Sequence, residues 1–189
     1  MPFFLQATTA TAADAAWVDT STLATNTLIE SSTASATATG TSEALLGSGV
    51  AFASNSLAVG DIIRFNYVVQ INATGSKATT TFRVRLGGLA GSIVATTAGA
   101  SSQVRYDNDF LTIEGWFRVS AIGGSGNVVA SSTLYTPNTS GAGEFISFSD
   151  FTIAADTTTS LTLVMTYTTG SVGDAFTQSA AVWKQSAPS

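Results

Sequence analysis

Apolar and polar residues alternate along most of this chain, a pattern typical of strands that bury one face. The clearest case is DIIRFNYVVQI at 61–71. Its apolar face holds Ile63, Phe65, Tyr67, Val69 and Ile71, and its polar face holds Arg64, Asn66 and Gln70. The segment TTTFRVRL at 79–86 alternates in the same way, with Phe82, Val84 and Leu86 set against Thr81, Arg83 and Arg85. Both segments therefore predict half-buried strands.

The longest alternating segment is FLTIEGWFRV at 110–119. Leu111, Ile113, Phe117 and Val119 make its predicted core face, and Thr112, Glu114, Trp116 and Arg118 make the other face. Gly115 interrupts the core face. A glycine inside a strand predicts a bulge or a close approach of the facing sheet.

From Glu43 onward, about eight or nine such segments follow one another, separated by glycine-rich turns such as GGSGN. No helical period persists, and the three prolines lie outside the predicted strands. Short strands at this spacing predict an all-β fold with antiparallel strands, built as a sandwich or a barrel.

Residues 1–42 form a separate compositional block, rich in Thr, Ala and Ser, that lacks the apolar residues for a core of its own. We predict an extended N-terminal arm at 1–42 and one β-sandwich domain at 43–189. The arm has few apolar positions, among them Trp17, Leu28 and Ile29. It could pack on its own domain, on a sister subunit or on a larger assembly.

Composition narrows the possible functions. Charged residues make up 10% of the chain, the net charge is −5, and the seven basic residues, none before Arg64, form no cluster. This argues against nucleic-acid binding. No apolar run approaches the ~20 residues of a membrane-spanning helix. The chain has no His and no Cys, which removes His-based catalysis and disulfides.

The remaining chemical candidates are weak. Asp107-Asn108-Asp109 resembles part of a calcium loop, but it lacks the later Gly and Glu, and a turn is the favoured interpretation. Glycosidase chemistry needs two paired carboxylates, and the candidates are Asp150 and Asp156 at a strand end and Glu114 and Glu144 in strands, but no spacing selects one pair. We therefore expect no catalytic, cofactor-binding or metal-binding residues, and no enzymatic activity.

The outward Arg83, Arg85, Glu114, Trp116 and Arg118 are more informative. Glu114 could meet an Arg on a neighbouring strand, which would contribute a few tenths to ~1 kcal/mol. These residues could instead contact another subunit, because Arg and Trp are enriched at interfaces. We name eight candidate interface residues: Trp17, Leu28, Ile29, Arg83, Arg85, Glu114, Trp116 and Arg118.

The order of motifs resembles a jelly-roll β-sandwich domain of tailed-bacteriophage structural proteins. The matching features are EALL, LAVGDIIRF, TTTFRVRLGG, FLTIEGWFRVSAIGGSGNVVAS and FTIAADTTTSLTLVMTY, followed by a last strand in AFTQSAAVW. The resemblance covers residues 43–184 and leaves out the arm. It implies a jelly roll and a non-catalytic virion component, often trimeric. The short arm favours a compact protein seated directly on a shell.

The first functional hypothesis is a capsid decoration or cement protein. It would bind the major capsid protein as a homotrimer on the outer capsid surface, and it would stabilise the assembled shell. The alternative is a receptor-binding tail-fibre tip that recognises a host glycan or surface protein. Exposed aromatic residues would carry that role, with Trp17, Tyr106, Trp116, Tyr135 and Trp183 as candidates.

Overall fold

The computed structural model describes residues 5–6, 16–17, 26–72, 80–97, 109–136, 144–170 and 172–187, and every element in these ranges is a strand. The strands are β1 (Leu5–Gln6), β2 (Ala16–Trp17), β3 (Asn26–Thr37), β4 (Ala44–Leu45), β5 (Val50–Phe52), β6 (Ile62–Asn72), β7 (Thr80–Leu86), β8 (Ser92–Thr96), β9 (Asp109–Ala121), β10 (Asn127–Thr136), β11 (Glu144–Ala154), β12 (Leu161–Thr169) and β13 (Ala175–Gln185). Asp107, Asn108 and Tyr106 lie outside the described residues.

Two antiparallel sheets enclose one hydrophobic core. The larger sheet has the order β11-β10-β9-β6-β13-β3, and the smaller has β4-β12-β7-β8, with β5 also paired to β12. The short β1 and β2 pair separately. The predicted all-β sandwich with antiparallel strands is therefore confirmed. The jelly-roll order stays a prediction, because β9, β10 and β11 run as a meander within one sheet.

The alternation in the sequence predicted the buried faces. The predicted core face of β6 is at most 2% exposed at Ile63, Phe65, Tyr67, Val69 and Ile71. Phe82, Val84 and Leu86 of β7 are buried as well. The core face of β9 is buried as well. Period-two patterning decides this because only one face of each strand contacts the facing sheet.

Residues 26–37 of the predicted arm form β3, the outer strand of the larger sheet in the described part of the chain. β3 pairs with β13 from Asn26 to Thr37, with a bulge beside Trp183. Ala36 packs against the core, and Ala38 is buried. This segment therefore follows the intrachain alternative for the arm. Thr- and Ser-rich sequence suits such a strand, because β-branched and hydroxyl side chains fit a half-exposed pleated surface.

Gly115 is required by a close approach within its own sheet. A Cβ built there would lie 2.4 Å from Cζ of Phe65 and 2.8 Å from the carbonyl oxygen of Ser131. Phe65 is the partner of Gly115 on β6, so the ring of a neighbouring strand occupies the space of the missing side chain. A close approach is present, but it comes from neighbouring strands of the same sheet, so the prediction that the facing sheet approaches Gly115 was wrong.

We predict that Gly115→Ala destabilises the fold by about 1–3 kcal/mol, because overpacking forces a buried ring and a backbone carbonyl to move. Denaturant unfolding followed by circular dichroism measures this. Gly124→Ala is the control, since a Cβ at Gly124 meets nothing within 4 Å. Equal midpoints for the two variants would contradict the role given to Phe65.

We also predict that β3 contributes to stability. Two truncations, lacking residues 1–25 and 1–37, differ only by β3. The second deletion uncovers the edge of β13 and removes the contact of Ala36 with the core. We expect its Tm to lie at least about 5 °C below that of the first, which corresponds to ~1–2 kcal/mol for a domain of this size. Equal Tm values in calorimetry would refute this.

Candidate functional site: the outer face of the larger sheet

One row of side chains crosses the outer face of the larger sheet. Strand register places Leu28 of β3 beside Trp183 of β13, Trp183 beside Arg64 of β6, Arg64 beside Trp116 of β9, and Trp116 beside Ser131 of β10. Directly opposed residues have Cβ atoms about 4.5–5.5 Å apart. The row therefore sets two indole rings on either side of one guanidinium group.

The next row is polar. Asn66 of β6 lies opposite Glu114 of β9, and its Nδ2 donates a 2.7 Å hydrogen bond to Glu114 Oε1. Thr133 of β10 is the other neighbour of Glu114. Glu114 thus has an amide residue on one side and a hydroxyl residue on the other. The salt bridges of the described residues do not include the Glu114–Arg pair that the sequence suggested. Arg118 lies one row away on the opposite side, between Ile62 and Val129.

These rows surround a groove of about 570 Å³. Its lining comprises Asn26, Arg64, Phe65, Asn66, Glu114, Gly115, Trp116, Ser131, Ser132, Thr133 and Trp183. Arg64 and Glu114 are exposed, whereas both indoles are half-buried. Ser132 is only 3% exposed, and its Oγ has no hydrogen-bond partner among the described residues. The groove thus combines two aromatic rings with hydrogen-bonding groups of both polarities.

Arg83 and Arg85 lie on the other sheet, where they bind Glu43. Arg85 holds the carboxylate with two hydrogen bonds, Nε to Oε1 at 2.7 Å and Nη2 to Oε2 at 2.8 Å. Arg83 Nη1 lies 3.6 Å from Oε2, and the hydroxyl of Thr166 donates to Oε1. Arg85 also donates to the carbonyl of Gly91. These two arginines fix strands and turns within their own chain.

The same contacts act on the charge of Glu43. The bidentate hydrogen bonds from Arg85 lower the pKa of Glu43 most strongly, and Thr166 and Arg83 add to this against the opposing effect of burial. The carboxylate is therefore ionised and paired at neutral pH. This cluster is structural, since its polar groups are used by one another.

A second ion pair ties the end of the chain to the start of β6. Asp61 is 2% exposed, and its Oδ2 accepts from Lys184 Nζ at 2.8 Å and from the amide of Ala58 at 2.9 Å. Its Oδ1 accepts from the amide of Ala187 at 3.1 Å. Burial alone would raise the pKa of Asp61, but the Lys184 and amide contacts outweigh it and lower that pKa. Asp61 is thus a turn residue that also anchors the last strand.

We predict that Asp61→Asn lowers the free energy of unfolding by about 1–3 kcal/mol at pH 7. The two carboxylate oxygens of Asp61 accept from Lys184 and from two backbone amides, whereas Asn offers only one oxygen as an acceptor. The folded-state pKa of Asp61 lies below its ordinary 3.8. Its contribution is therefore complete above that value and is lost as pH falls through the folded-state pKa.

The free energy of unfolding should accordingly differ less between wild type and Asp61→Asn at pH 3 than at pH 7. Urea unfolding at a series of pH values measures this difference. Glu43 titrates in both proteins and cancels in this difference. A difference that stays constant over this range would show that the charge of Asp61 does not stabilise the fold.

The structure separates the eight candidate interface residues. Leu28, Ile29, Glu114, Trp116 and Arg118 belong to the larger sheet, Arg83 and Arg85 belong to the smaller one, and Trp17 lies in β2 with its side chain outside the described part. Arg64, Asn66 and Trp183 complete the groove. The alternation of apolar and polar residues in β6 and β13 is enough to predict that these three side chains point outward. Their position near Trp116 follows only from the order of the strands in the sheet.

The described ranges hold no group of three or more His, Cys, Asp or Glu side chains placed to bind a metal ion. No helix with the length and apolar character needed to cross a membrane occurs in them.

Comparisons with known proteins give no family. No family model matches this chain, and no curated protein matches it. Solved structures of infectious bursal disease virus, one of its Gx strain and one titled VP2 subviral particle, align at 15% and 13% identity, each with a TM-score of 0.34. They cover 97% of this chain, which spans only 37% and 38% of theirs. At these TM-scores the likeness carries no inference about fold or function.

Proposed function

We propose that this chain is a non-catalytic structural protein of a virion, and specifically a capsid decoration protein. In this proposal it binds the assembled head as a homotrimer, on the outer capsid surface, through contacts with the major capsid protein. The sequence resemblance to tailed-phage structural domains supports the virion context. The observation that carries the proposal is the position of β3 and its exposed aliphatic residues.

β3 offers an edge for association. In the described strands it has one neighbour, β13, so one side of its twelve-residue backbone is not paired within the described sheet. It contains no Lys, Arg or Pro, the residues that commonly block pairing at a sheet edge. Leu28 and Ile29 at its start are 53% and 36% exposed. An edge of this kind favours burial against another chain.

The remainder of β3 favours a specific, reversible contact. Its outward positions are Ser31, Thr33, Ser35 and Thr37, all exposed, and Ser35 Oγ hydrogen-bonds Thr177 Oγ1 at 3.1 Å. Hydroxyl side chains can pair with another surface without the desolvation cost of buried charges. Binding only to the assembled shell would then stabilise that shell by mass action, and a closed trimer would cover the edges of its three copies.

The test measures the mass of the purified protein in solution and its number of copies in the particle. Light scattering should give a trimer. Quantitative mass spectrometry of purified virions should give hundreds of copies per particle, as a decoration protein requires. A monomer, or a handful of copies per particle, would overturn the proposal.

A variant identifies the surface. The double variant Leu28→Asp, Ile29→Asp places two charges at the contact. It should raise the protein concentration at which the trimer dissociates by at least tenfold. Ile122→Asp is the matched control, since Ile122 is 55% exposed in a turn away from β3. Equal effects of the two variants would show that β3 does not form the contact.

A further inference from the structure

The groove on the larger sheet has properties that shell attachment through β3 does not require. Trp183 and Trp116 lie on strands β13 and β9, with β6 between them. Two strand spacings separate their backbones by about 10 Å. The two half-buried indoles therefore stand at the two sides of one groove.

Polar groups lie between and beside these rings. Arg64 stands between the two indoles, and none of the salt bridges found in the described ranges involves it. Asn66 holds one oxygen of Glu114 and thereby fixes the position of its carboxylate. Asn26, Ser131 and Thr133 complete the rim. These side chains include planar groups that can each form two parallel hydrogen bonds.

This combination matches the chemistry of a sugar ring. A pyranose has an apolar face of C–H groups, which suits the electron-rich face of an indole. It also carries neighbouring hydroxyls, which suit carboxylate, amide and guanidinium groups. A hydrophobic ligand would cover the charged groups of Arg64 and Glu114 without binding them. A highly charged ligand would meet both a positive and a negative group. The size of the groove, about 570 Å³, lies within the range of small-ligand sites.

We propose that this groove binds an oligosaccharide, with consecutive sugar rings stacked on Trp183 and Trp116 and with Arg64, Asn66 and Glu114 binding the hydroxyls between them. The groove binds the sugar and does not cleave it. Glycoside hydrolysis uses two carboxyl groups across the scissile bond, and Glu114 is the single carboxylate among the described residues of the lining. This proposal does not rest on the decoration role.

The test is binding of the full chain to an array of bacterial and mammalian glycans, followed by calorimetric titration with the strongest binders. The array includes neutral glucan hexasaccharides and carboxylated hyaluronan hexasaccharides, which separate hydroxyl recognition from carboxylate recognition by Arg64. We expect binding, with quenching or a blue shift of Trp fluorescence. Trp116→Ala and Trp183→Ala should each weaken it at least tenfold, and Trp116→Phe should retain part of the affinity.

Phe110→Ala is the matched control, because Phe110 is an aromatic residue of the same face, 48% exposed and outside the groove lining. It should change affinity less than twofold. Thermal unfolding confirms that each variant is folded. Absence of binding to every glycan on the array, or equal loss in Phe110→Ala, would overturn the proposal.

Light scattering on the same variants distinguishes the other possible occupant, a second copy of the chain. Loss of the oligomer in Trp116→Ala and Trp183→Ala would assign the groove to a subunit contact and refute sugar binding. The decoration role would stand in that case, because its own test uses Leu28 and Ile29. An unchanged oligomer with lost glycan binding is the expected result.

Discussion

The pairing of the last strand, β13, between β6 and β3 is the constraint on which the larger sheet depends. β13 brings residues 175–185 beside residues 62–72, in register over the whole length of β6. Long-range pairing of this kind carries a large loop-closure cost, so burial along both neighbours has to offset it. Phe176, Ala180 and Val182 supply that burial, and the Asp61–Lys184 ion pair fixes the end of the strand.

The same pairing creates the candidate site. Because β13 lies beside β6, Trp183 stands next to Arg64, and because β6 lies beside β9, Arg64 stands next to Trp116. Three residues spread over more than a hundred positions thus form one row. Beneath that row, Gly115 leaves room for the ring of Phe65. These two residues therefore contribute both to the packing of the core and to the lining of the groove. The smaller sheet uses its arginines differently, since Arg83 and Arg85 bind Glu43.

The two proposals therefore concern adjoining parts of one sheet, since Leu28 of β3 lies beside Trp183 and Asn26 of β3 lines the groove. Its β3 side presents backbone and two aliphatic side chains, which suit association with protein. Its central outer face presents indole rings and fixed polar groups, which suit a small hydroxylated ligand.

The sequence by itself determined the strands and their buried faces, because period-two alternation records which side of each strand contacts the core. It also placed Glu114, Trp116 and Arg118 on one outer face, but at Gly115 it indicated a bulge or the facing sheet, and the tertiary structure places Phe65 of the same sheet there. Strand order was decided only by the tertiary structure, since alternation is the same whichever strand lies alongside. For that reason the sequence could not assign Asn66 to Glu114 or Glu43 to Arg85, and it could not show that the Thr- and Ser-rich residues 26–37 complete the larger sheet.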